Sequence, residues 1–184
     1  MTALANVAAG GIIYASTIND LINGKANRAH CRLALPGNQS TTNVTITSVL
    51  FGASSEISDT SGWHSTSSNT SRVVPTLAGV YLCVGRIYWA ASLDSGDRRA
   101  YIAVNGSQTG NWSRGFPPGT GGSYPGTSGA GVSQDVSAVV TLNGSTDYVE
   151  LQGYQATGGA LNITGAGDQT FSTTFDVIYL GTQI

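Results

Sequence analysis

From residue 29 onward the chain alternates. Apolar and polar residues trade places at every second position, the spacing of a strand with one face on a core and the other toward water. The run AHCRLAL (29–35) stops at Pro36-Gly37-Asn38, and NVTITSVLF (43–51) sets Val44 and Ile46 against Thr45 and Thr47. SRVVPTL (71–77) carries Pro75, which offers no N–H to a ladder, so this run is expected at an edge or a bulge. VYLCVGRIYWAAS (80–92) is the longest run, and DRRAYIAVNG (97–106) ends in the hairpin pair Asn105-Gly106. GVSQDVSAVVTL (131–142), DYVELQGYQAT (147–157), LNIT (161–164) and TTFDVIYLG (173–181) complete the series. About eight to ten strands at this spacing predict an all-β sandwich or barrel. Trp89 and Tyr81 are expected in its core, and Tyr88, Trp89, Tyr154, Phe175 and Tyr179 in the core or on an assembly axis.

Residues 1–28 read differently. Thr17 with Asp20 three positions later offers an N-cap, Ile18, Leu21 and Ile22 recur at helical spacing, and Gly24 supplies a stop. A helix below about 12–15 residues does not hold alone in water. It is therefore expected to dock, on its own domain, on sister copies or on a larger particle. The predicted organisation is an attachment segment over 1–28, with Ile18, Leu21 and Ile22 as the attachment residues, and one β-domain over 29–184.

Between the strands, 106–130 (GSQTGNWSRGFPPGTGGSYPGTSGA) reads as one long Gly/Pro/Ser loop. Loops of that length in compact domains are usually functional or clamped by a partner. It holds the candidate binding residues Trp112, Arg114, Phe116 and Tyr124. Their rings have the shape to stack on sugars, and Arg114 can hold an anionic group. The other reading packs the same aromatics under the loop or across a subunit boundary.

Composition narrows the function. The net charge of −2 leaves no electrostatic footprint for nucleic acid. No stretch reaches the roughly 18–20 apolar residues of a membrane span, so no membrane insertion is expected. The start lacks a basic n-region and is not read as a secretion signal, which points to assembly in a cytoplasm. Cys31 and Cys83 are then expected reduced and buried. Lys25 is the one lysine against seven arginines. Either much of the surface is buried in an assembly, where lysine is disfavoured, or the genome favours Arg codons.

Catalytic chemistry finds little to stand on. The acids sit mostly beside turns, where Asp has structural work. His30 and His64 cannot make a His-rich metal site, and neither Gly-x-Ser-x-Gly nor His-Glu-x-x-His occurs. A glycosidase would need a close carboxyl pair, and Glu56 and Glu150 are the only glutamates. No catalytic residue, metal or cofactor is expected.

Several stretches resemble a known superfamily. AGVYLCVGRIYWAA is similar to the first inner strand of the globular heads that include tumour necrosis factor (TNF) and the complement heads, where Gly-x-Tyr opens a strand of alternating large residues. RRAYIAVNG resembles the next strand, and STTFDVIYLG the last. TLNGSTDYVELQGYQ resembles that family's Gly-Asp-x-Val-x-Leu segment, with Ser145-Thr146 in place of the glycine before Asp147. GWHSTSSNTSRVVPTLAGVYLCVGRIYWAA and DYVELQGYQATGGALNI further resemble a class of actinobacterial phage proteins, and GGIIYASTINDLINGKANRAHCRL resembles their leader. The resemblance implies a TNF-like jelly-roll sandwich working as a homotrimer on the virion. Its implied partners are sister copies, other phage tail or capsid proteins and a host cell-surface glycan. A minor tail or fibre-like head contacting the host envelope is the leading expectation; a head decoration protein that stabilises the capsid is the alternative.

Overall fold

The computed structural model describes residues 28–92, 96–115, 131–166 and 172–182, and of 110–115 the backbone alone. The predicted N-terminal helix, with Ile18, Leu21 and Ile22, lies outside these residues, as do Phe116 and Tyr124. The described residues form eleven strands and no helix: β1 (His30–Ala34), β2 (Gln39–Thr41), β3 (Thr45–Ser48), β4 (Glu56–Asp59), β5 (Gly79–Trp89), β6 (Asp97–Val104), β7 (Ser107–Gly115), β8 (Val132–Leu142), β9 (Val149–Ala156), β10 (Leu161–Ile163) and β11 (Thr174–Gly181).

All pairings are antiparallel. One sheet runs β2-β10-β5-β11-β1-β4, with β8 along the opposite edge of β5; the other runs β3-β9-β6-β7. The alternation read in the sequence becomes the two faces of these sheets. Along β5, Tyr81, Cys83, Ile87 and Trp89 are buried, while Val80, Leu82, Val84, Arg86 and Tyr88 are half-buried on the other face. The inward side chains meet Leu33, Val136, Phe175 and Val177 of the same sheet and Ala100, Ile102, Val149 and Leu151 of the second in one core.

Two glycines let the parts close. Gly79 opens β5 at φ 154°, a value that disfavours side chains, and any Cβ there would run into the carbonyl of Gly181 and the ring of Tyr179. This is the physical content of the Gly-x-Tyr start. Gly153 lies beneath Trp89, where a Cβ would stand 2.9 Å from Cη2. Trp89 also joins the sheets through polar atoms. Its Nε1 donates to Gln134 Oε1 at 2.8 Å, and Gln134 Nε2 donates to the Arg98 carbonyl on β6 at 2.7 Å.

The free edge of β3 is closed by a side chain. Gln39 Nε2 donates to the Ser48 carbonyl and its Oε1 accepts from the Leu50 amide, both at 2.8 Å. One amide group thus takes the place of a partner strand.

Two expectations need correction. SRVVPTL is not a strand: Val73 makes isolated bridges to His64 and Val149, and Pro75 is buried in a loop. That loop is pinned instead by side chains. Trp63 meets Tyr81 edge-on at 5.6 Å, and the His64 ring sits between Glu56 Oε1 (2.9 Å) and the Thr70 carbonyl (3.2 Å). The supposed 106–130 loop is, through Gly115, the strand β7 paired with β6. The two-residue turn Asn105-Gly106, with φ of 53° and 77°, returns the chain at once into a partner strand.

Cys31 and Cys83 are free and buried, as expected. Both pair with Val177, from opposite sides of β11, so two strand spacings of about 4.8 Å separate them, beyond disulfide reach. Burial pushes both thiols up, that of Cys83 to about 12. The native protein is therefore expected to resist iodoacetamide at pH 8 and to label at both cysteines in denaturant. Mass spectrometry reads the result, and fast native labelling of either thiol would contradict this core.

Candidate functional site

The sandwich has two outer faces of opposite character. On the seven-stranded sheet the register lines up Val139, Leu82, Ile178 and His30 across β8, β5, β11 and β1. Val80 and Val84 flank Leu82 along β5, and Leu180 follows on β11. Val139 is 64% exposed and Leu180 41%. The aliphatic residues among them make an apolar band across the middle of the sheet, with His30 at its end.

Ion pairs border the band. Arg32 Nε lies 3.2 Å from Asp176 Oδ1, and Arg86 Nε lies 2.8 Å from Asp135 Oδ1. Burial pushes the Asp176 carboxyl above its ordinary range, while Arg32 and His30 pull it back.

The face of the four-stranded sheet turned away from the core is polar, and at its centre Glu150, Gln152, Tyr101 and Ala103 are buried. Its strand positions are Tyr154, Gln152 and Glu150 on β9, Arg99, Tyr101 and Ala103 on β6, and Ile46 and Ser48 on β3. Hydrogen bonds run across it. Ser71 Oγ donates to Glu150 Oε1 at 2.6 Å, Gln152 Nε2 donates to Glu150 Oε2 and Ser48 Oγ at 3.3 Å, and Gln108 Nε2 donates to Gln152 Oε1 at 3.4 Å. The charges are matched internally: Arg72 Nε stands 3.7 Å from Glu150, and Arg99 Nε donates to Asp97 at 2.7 Å. The bond to Asp97, with help from Tyr101, holds the Arg99 guanidinium above its ordinary pKa. Arg72 lies 4.1 Å over the Tyr148 ring, and Arg99 lies 5.1 Å over that of Tyr154.

Of the binding residues expected from sequence, Trp112 and Arg114 lie on β7, with Trp112 opposite Tyr101 and Arg114 opposite Arg99. They thus belong to the edge strand of the polar sheet. Tyr154 and Tyr88, expected in the core or on an axis, are half-buried on the two outer faces; Trp89, Phe175 and Tyr179 are in the core. Gln108, Gln152 and Glu150 had no motif to announce them. The only signal for Glu150 and Gln152 was the period of two in DYVELQGYQ, which marks every second residue as outward; Gln108, on β7, had none. Among the described residues no group of three or more His, Cys, Asp or Glu could hold a metal ion. No helix there is long and apolar enough to cross a membrane.

No protein-family model matches the sequence, and no curated protein does. Solved structures match in shape. Eiger TNF from S. frugiperda is similar at TM-score 0.53 and 13% identity, over 85% of this chain and 95% of that one. Murine APRIL at pH 5.0 is similar at TM-score 0.53 and 13% identity, over 82% and 99%, and its pH 8.5 structure gives 0.51 and 14%. The fold is a TNF-like jelly roll. At such identities the likeness is one of fold, and it agrees with the strands quoted from the sequence. The TNF-like core strands β5, β6, β9 and β11 are those that AGVYLCVGRIYWAA, RRAYIAVNG, DYVELQGYQ and STTFDVIYLG form.

Proposed function

We propose that this TNF-like jelly roll is a non-catalytic, homotrimeric surface protein of a bacteriophage virion, a minor tail or fibre-like head that contacts the host envelope. The observation that carries self-association is the apolar band Val80, Leu82, Val84, Val139 and Ile178 on the seven-stranded sheet. Five aliphatic side chains on one continuous face are more than scattered surface apolars account for, and such patches mark interaction sites. Copies packed through this sheet bury the band and leave the polar sheet outward. The virion setting rests on the resemblance of residues 62–91 and 147–163 to actinobacterial phage proteins. A structural role also suits a polar face whose charges are already paired within the chain.

Two measurements test this reading. Analytical ultracentrifugation of the purified chain is expected to give three times the chain mass, and a stable monomer would defeat it. Gold-labelled antibody on intact particles is expected at the tail. Labelling over the capsid shell would move the protein to the decoration role, and no labelling would remove it from the virion.

A further inference from the structure

We infer that the outward face of β9 and β6 is a binding strip for a neutral polysaccharide, held by side-chain amides, hydroxyls and a tyrosine ring. This rests on the reading above that the polar sheet faces away from the assembly and toward the host.

Three observations carry it. The first is length. Tyr148, just before β9, and Tyr154 on β9 stand six residues apart, which at about 3.3 Å per residue of extended chain spans roughly 20 Å, long enough for several sugar units. The second is chemistry. Between these half-buried rings lie Glu150, Gln152, Gln108 and Ser48, already joined by hydrogen bonds. Gln108 is exposed, so its amide can reach a ligand, while Glu150, Gln152 and Tyr101 form a buried floor beneath it. Amides that both donate and accept match the hydroxyls of a sugar, and a tyrosine face suits its C–H surface.

The third is charge, which selects among polymers. Glu150 is paired with Arg72, and Asp97 with Arg99. An anionic polymer would have to draw an arginine from a carboxylate that is already in place, and a cationic one the reverse. A neutral chain meets no such cost. The chain recognised is therefore uncharged, with Trp112 and Arg114 on the adjoining edge strand.

The test uses the full chain in affinity electrophoresis through gels containing dextran, mannan or galactan, with polygalacturonate and hyaluronate as anionic probes. Retardation by at least one neutral polymer is expected, little changed between low and high salt. Tyr154→Ala and Gln108→Ala are each expected to weaken it by about tenfold, with sedimentation unchanged. Salt-sensitive retardation by the anionic polymers alone would overturn the inference. So would no retardation by any polymer, or full retardation of both variants. Because this assay reads the isolated protein, its failure leaves particle location and trimer mass to be judged on their own.

Discussion

Leu82→Asp is expected to convert the assembled protein into folded single chains. Leu82 lies at the centre of the apolar band, between Val139 on β8 and Ile178 on β11. Within one chain it is half-buried on an outer face, so a carboxylate there keeps access to water and the sandwich keeps its core. Within an assembly the same carboxylate is buried among aliphatic side chains. It loses about 1.5–3 kcal/mol of apolar burial per leucine and adds the cost of an unpaired charge. A loss of about 3 kcal/mol per contact already weakens association more than a hundredfold. Sedimentation reads the mass and circular dichroism the fold. Val139→Asp provides an independent check, because that residue is 64% exposed in the single chain. Unchanged mass in both variants would place the contact elsewhere.

Trp89→Ala is expected to bring the domain to the edge of unfolding. The ring is fully buried and packs on Gly153, a site that only glycine leaves open. Removing a buried tryptophan costs about 3–5 kcal/mol. It also strands the Gln134 acceptor between the sheets, and a buried acceptor without a donor costs about 1–3 kcal/mol more. Against a typical stability of about 5–15 kcal/mol, little is left. Urea unfolding of the variant is expected to begin with no native baseline. Trp89→Phe, which keeps most of the volume and loses the N–H, is expected to fall between the two proteins. If Trp89→Ala unfolds like the parent, Trp89 does not join the two sheets.

Strands with one wet face and one dry face were legible in the sequence. GVSQDVSAVVTL alternates almost throughout and became β8, while VYLCVGRIYWAAS, apolar on both faces from Val80 to Val84, was legible as a strand by its length and became β5; the two pair from Gly79–Leu142 to Trp89–Val132. The strands that escaped notice are polar or short. β7 has the sequence SQTGNWSRG, with no apolar period, and only the Asn105-Gly106 turn implied its existence. β2 and β4 hold three and four residues and owe their place to neighbours already folded. SRVVPTL failed in the opposite sense. Val73 is completely buried and Pro75 is buried, but Val74 is half-buried, Leu77 is exposed, and a loop route replaces the ladder.

The polar face shows a second limit. Arg72 and Glu150, or Ser71 and Glu150, are nearly eighty positions apart in the chain. No local pattern announces such pairings, because the loop after β4 must first fold back onto β9. The Trp112 and Arg114 positions could be picked out by residue type, yet their placement opposite Tyr101 and Arg99 follows only from the β6–β7 register. No motif announced the place of the His64 ring between Glu56 and the Thr70 carbonyl either.

Gln39 has a consequence for crowding. Where identical molecules gather at high local density, an open strand flank becomes a template for the next molecule and growth need not stop. With its amide seated between Ser48 and Leu50, that flank has no vacant backbone groups at this point to recruit a newcomer. At the Ser48–Leu50 end of β3 a neighbouring strand finds no open ladder to extend.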